Sequence, residues 1–89
     1  MPTPLEDALQ FPCEFPLRII GRNEDDFEGF AIAFVREFVP ALQTDAVRSR
    51  FSNGGAYISI TMTFTAESRE QVDAIYQAMT GHERILFAL

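Results

Sequence analysis

The sequence predicts an α+β fold in which one antiparallel sheet is covered on a single side by two helices. Three observations carry this. Phe27 to Phe38 repeats apolar residues at the helical period, and Tyr57 to Phe64 alternates strictly at the strand period. The segments of the two periods then follow one another as strand, helix, strand, strand, helix, strand. With 89 residues, the chain suits one domain, residues 1–89, and is too short for two.

Thr3-Pro4-Leu5-Glu6 reads as a helix start: Thr3 caps, Pro4 suits the first helical position and Glu6 completes a capping box. A short N-terminal helical extension within residues 1–10 is expected, stopped by Phe11-Pro12. From Phe15 the period becomes two, with Phe15, Leu17 and Ile19 on one face and Pro16, Arg18 and Ile20 on the other, up to Gly21. Asn23 is the expected N-cap of the first long helix, about Glu24 to Phe38. Glu24, Asp25, Asp26 and Glu28 there suit the positive end of its dipole. Phe27, Phe30, Ala31, Phe34, Val35 and Phe38 form its apolar stripe, and Pro40 ends it.

Ala46 to Phe51 reads as a short strand, with Arg48 and Arg50 on one face. Ser52-Asn53-Gly54-Gly55 then supplies an Asn-Gly hairpin turn. In the returning strand Ile58, Ile60, Met62 and Phe64 face the core while Tyr57, Ser59, Thr61 and Thr63 face away. The second helix is expected after Thr65 as its cap, with Val72, Ile75, Tyr76 and Met79 on its buried stripe and Gly81 as its stop. Glu83 to Leu89 closes the chain as a strand in which Ile85, Phe87 and Leu89 alternate. This order, βαββαβ, is that of the ferredoxin-like sandwich, with a four-stranded antiparallel sheet and both helices on one face. Its core is expected to bury Phe27, Phe30, Phe34 and Phe38 against Leu17, Ile19, Ile58, Ile60 and Met62.

Composition and charge exclude several functions. With 47% hydrophobic and 22% charged residues the chain is not of a disordered class, and no apolar run approaches the ~20 residues of a membrane span. Thirteen acidic against seven basic residues give a formal −6, unfavourable for a nucleic-acid partner. All the basic residues are arginines, so lysine Schiff bases and P-loop phosphate binding are excluded. A lone cysteine and an N-terminus without signal-peptide character point to the cytoplasm. Catalytic pairs are lacking: His82 is the only histidine and reads as an exposed loop residue, and Cys13 beside Glu14 reads as incidental. The acidic run from Glu24 to Glu28 lacks the spacing of a calcium loop. No catalytic, cofactor or metal residues are assigned, and no enzyme is expected.

Asn53 to Ile60 matches the ribonucleoprotein signature only at Gly54, Ala56, Tyr57 and Ile58, leaving Tyr57 as the single stacking platform. The feature left over is the open sheet face. Arg18, Ile20, Arg48, Arg50, Tyr57, Ser59 and Thr61 are expected there, a mixture of arginine, tyrosine and aliphatic residues of the kind interfaces contain.

Phe11-Pro12-x-x-Phe15-x-x-Arg18-x-x-Gly21, the Ser52 to Tyr57 hairpin running into Ile58-Ser59-Ile60-Thr61, and Glu70-Gln71-Val72-x-x-Ile75-Tyr76 together resemble the YbeD-like family of small bacterial proteins. The resemblance implies a ferredoxin-like fold similar to ACT regulatory domains, which bind small ligands at dimer interfaces. ACT domains place Pro-Gly before the first helix; here Asp26-Phe27-Glu28-Gly29 keeps only the glycine and adds acid, so no ligand residues carry over. The expected function is a non-enzymatic regulatory or adaptor domain that contacts a protein partner, or a second copy, through the sheet face. The alternative is an ACT-like sensor of a small molecule.

Overall fold

The computed structural model describes residues 10–89; the expected N-terminal helix lies outside the described residues. The elements run β1 (Cys13–Arg22), α1 (Phe27–Arg36), β2 (Val47–Phe51), β3 (Tyr57–Ala66), α2 (Arg69–Met79) and β4 (Phe87–Ala88). The sheet order is β2-β3-β1-β4 and every pairing is antiparallel. This is the ferredoxin-like arrangement, with the two longest strands at the centre.

Register follows from the alternation. Leu17 pairs with Met62 and Ile19 with Ile60, so the apolar set of each central strand lies on the same face. These residues, with Ile58, Phe64 and Ala66, are buried beneath Ala31 and Val35 of α1 and Val72, Ile75 and Met79 of α2. Burying such a side chain is worth about 1.5–3 kcal/mol, so this one-sided layer is the main source of stability.

The first helix is turned relative to the expected stripe. Phe27, Ala31 and Val35 face the sheet, while Phe30, Phe34 and Phe38 are only half-buried on its flank. The small side chains in the contact allow close approach to the sheet, and the large rings cover the edge of the layer instead. Phe27, Phe30, Phe34 and Phe38 form a chain of tilted rings with centroids 5.7, 5.9 and 6.2 Å apart. Gly21 makes room for this packing, since a Cβ there would overlap the Phe27 ring and the Arg84 carbonyl.

Helix boundaries also depart from expectation, for reasons of capping. Asp25 and Asp26 have φ of 52° and 50°, left-handed values that cannot belong to the helix, so α1 starts at Phe27. Asp26, not Asn23, is the cap, its Oδ1 accepting the Gly29 N–H at 3.2 Å. Asn23 instead donates from Nδ2 to the Gly55 carbonyl, fastening the end of β1 to the β2–β3 turn. In that turn Gly54 and Gly55 take φ of 83° and 76° in open space, so it is the backbone conformation that selects glycine. α2 is capped by Ser68, because β3 runs on past Thr65 to Ala66. Gln71 accepts the Glu67 N–H and donates from Nε2 to the Phe38 carbonyl, joining the two helix ends.

The last strand is shorter than the expected Glu83 to Leu89. Residues 82–85 form a turn, closed by the Ile85 N–H donating to the His82 carbonyl, and ladder bonds to β1 begin only with the Leu86 N–H on Ile20.

Candidate functional site

All seven residues expected on the open face are placed there by the strand register. Arg48, Thr61 and Arg18 form one row across β2, β3 and β1, and Arg50, Ser59 and Ile20 form the next. Tyr57 follows in a third row beside Arg22. With strands about 4.8 Å apart, the Cα atoms of Arg48 and Arg18 stand about 10 Å from each other, and Arg50 is about 6.8 Å along the strand from Arg48. A shallow depression lies between them, lined by Arg18, Ile20, Arg48, Ser49, Arg50, Ser59 and Thr61.

Two further residues belong to this face and went unseen in the sequence. Phe87 pairs with Ile20, and Leu89 exchanges both backbone hydrogen bonds with Arg18, so each shares the face of its partner. They are 63% and 62% exposed, beside a Tyr57 that is 45% exposed. Alternation alone placed Phe87 and Leu89 on one face without saying which. The small Ala88, opposite buried Ile19, is the residue that turns inward.

The arginines divide into two groups. Arg36 donates from Nε and Nη2 to the Leu42 carbonyl, Arg69 pairs with Asp73 at 3.6 Å, and Arg84 donates from Nη2 to the Glu24 and Asp25 carbonyls at 2.9 and 2.8 Å. These three lie outside the strands. The four strand arginines, Arg18, Arg22, Arg48 and Arg50, make no hydrogen bond or ion pair with any side chain or carbonyl among the described residues through their guanidinium groups. Glu14 is the only acidic residue in the strands, at the far end of β1. A chain of net −6 thus carries a locally basic face.

The residues around the start of α1 have structural work. Arg84 lies over the Phe30 ring at 4.5 Å and over Phe27 at 5.7 Å, a cation–π contact that seats the guanidinium whose Nη2 holds the two loop carbonyls. His82 is half-buried rather than exposed: its ring sits 5.0 Å from Phe30 and edge-on to Phe34 at 5.7 Å, and Nδ1 accepts the Arg84 N–H. The phenylalanine flank of α1 draws it in, which its position in a turn does not reveal. A second concavity beside this loop is lined by Arg22, Glu24, Asp25, Phe27, Glu83, Arg84 and Leu86, whose three acids oppose a carboxylate ligand. Cys13 is free and partly buried against the core. Burial raises the Tyr76 hydroxyl above its ordinary pKa of 10.0, so that group stays neutral. Among the described residues no helix is long and apolar enough to cross a membrane, and no group of three or more His, Cys, Asp or Glu is placed to hold a metal ion.

Fold and face together define a small ferredoxin-like domain whose helices seal one side of the sheet and whose other side is covered by no element among the described residues. The chain belongs to the family described as "Protein of unknown function (DUF493)", whose pattern it matches over residues 6–89. It is 39% identical over 84 residues to a UPF0250 protein of Paraburkholderia phytofirmans, covering 94% of each chain. It is 36% identical to UPF0250 protein RSc0326 of Ralstonia nicotianae, over 97% of this chain and 89% of the relative. UPF0250 protein NE1487 of Nitrosomonas europaea is 33% identical over 94% of this chain and 97% of its own. The YbeD-like resemblance is thereby shown. No solved structure matches the chain.

Proposed function

We propose that this protein is a non-enzymatic regulatory or adaptor domain of the bacterial cytoplasm, acting by protein contact through the open sheet face. The observation that carries this reading is the set of strand arginines with no partner among the described residues, on the same face as exposed Tyr57, Phe87 and Leu89. A charged side chain that supports the fold is normally engaged by it, as Arg36, Arg69 and Arg84 are here. Arginine and tyrosine beside exposed apolar groups are the residues that anchor interfaces. The family description assigns no activity, and the residues of this face include no nucleophile paired with a base.

The test is association measured on folded variants. Arg18→Ala and Tyr57→Ala are expected to weaken the association of the protein with its partner, read by pulldown from native extract and by sedimentation of the purified chain. Substitutions at Glu24 or Glu28 are expected to leave it intact. The reverse pattern would move the site to the acidic start of α1.

A further inference from the structure

We infer that the open sheet face receives an acidic segment of a partner protein, with carboxylates on Arg18, Arg48 and Arg50 and apolar side chains against Ile20, Tyr57 and Phe87. This rests on the reading of that face as a protein-contact surface and adds the chemistry of what it contacts.

The argument is one of charge complementarity. The Cα atoms of the three arginines stand within about 12 Å of one another on the face, and no guanidinium is paired with a carboxylate among the described residues. Edge protection accounts for part of this, since charged residues on an outer strand discourage sheet-to-sheet pairing, and Arg48 and Arg50 lie on the edge strand β2. It does not account for Arg18, which lies on a central strand and completes the same row as Arg48. Facing Arg18 across β3 costs electrostatic repulsion that a set of carboxylates relieves. Arginine is suited to that role through its planar, bidentate geometry.

The same charges decide against two other occupants. A second copy stacked face to face about a two-fold axis through the arginine rows brings one arginine set over the other, with Glu14 as the one strand carboxylate on each face among the described residues. A nucleic-acid strand longer than the patch runs on toward the acids of a chain of net −6, so charge decides against it even though Tyr57 and Phe87 offer two exposed aromatic side chains on the face. A polypeptide that carries carboxylates and apolar groups within a short stretch fits both parts of the face at once.

The experiment uses the full chain and three labelled probes in fluorescence anisotropy: a short synthetic peptide alternating glutamate with leucine and serine, its glutamine counterpart, and a short single-stranded oligouridine. The glutamate peptide is expected to bind, and to weaken as salt is raised, as solvent-exposed ion pairs do. The glutamine peptide is expected to bind at least about tenfold more weakly, as is the glutamate peptide to the combined variant Arg18→Gln, Arg48→Gln, Arg50→Gln. Circular dichroism confirms that the variant is folded, and Arg18→Gln alone serves in its place if it is not. Equal binding of the two peptides, no binding of either, or tighter binding of oligouridine each overturns the inference. The association captured in native extract separates this failure from failure of the broader reading. If the triple glutamine variant keeps it while Ile20→Ser with Tyr57→Ala loses it, the face is the contact surface and its partner is not acidic. If neither variant changes it, both readings fall.

Discussion

Around the start of α1, charge and backbone strain are tied into the fold: Arg84 holds two loop carbonyls, Asp26 caps the helix from a left-handed conformation, and His82 packs on the phenylalanine flank. Across the sheet, Arg18, Arg48 and Arg50 hold nothing among the described residues. Both regions are rich in charge, yet only the first is explained by the structure that contains it. The contrast teaches that a charged cluster becomes informative about function after its structural contacts have been subtracted. The acidic run is the more conspicuous in the sequence, and the arginines are the ones left over.

Substitutions can break or sharpen that contrast, and they fall in a clear order. Ile60→Ala, at the centre of the covered face, is expected to cost about 3 kcal/mol in denaturant unfolding, a large share of the margin of a domain this size. Arg84→Ala should follow at about 1–3 kcal/mol, because it removes a charged donor to two carbonyls and a cation–π contact. Arg84→Lys is expected to recover only part of this, since it lacks the planar group that lies over Phe30.

Asp26→Ala is expected to cost about 1 kcal/mol for the lost cap, and more for placing alanine at φ 50°. Asp26→Gly removes the cap without that steric cost, so thermal unfolding should rank the glycine variant above the alanine variant. Arg18→Ala and Tyr57→Ala come last, within about 0.5 kcal/mol of wild type. A larger loss at Arg18 would mean that the face contributes to the fold after all, and the contrast between the two regions would disappear.

The fold was legible because period and register reinforce each other. Leu17, Ile19, Ile58, Ile60 and Met62 are buried as their alternation requires, and the strand order follows from the element order. The rotation of α1 was not legible. Six apolar residues lie on a broad stripe, and only packing against the sheet selects Ala31 and Val35 over Phe30 and Phe34 for the contact. The same holds for Asn23 and Asp26: both are good caps by residue type, and the left-handed turn at Asp25 and Asp26 decides between them. The seven face residues were placed from period alone. Phe87 and Leu89 needed the pairing of β4 with β1, which alternation in a short terminal segment does not specify.

Gln71 carries a consequence for how the molecule opens. Its amide spans the end of one helix and the start of the other, 33 residues apart, accepting from the Glu67 N–H and donating to the Phe38 carbonyl. Detaching either helix end from the sheet breaks a bond that the other end also depends on. The two helix ends are therefore expected to open together, and slow amide exchange in the turn after α1 should track that at the first turn of α2. A roof pinned at this point keeps the apolar side of the sheet covered while the arginine side faces away from both helices.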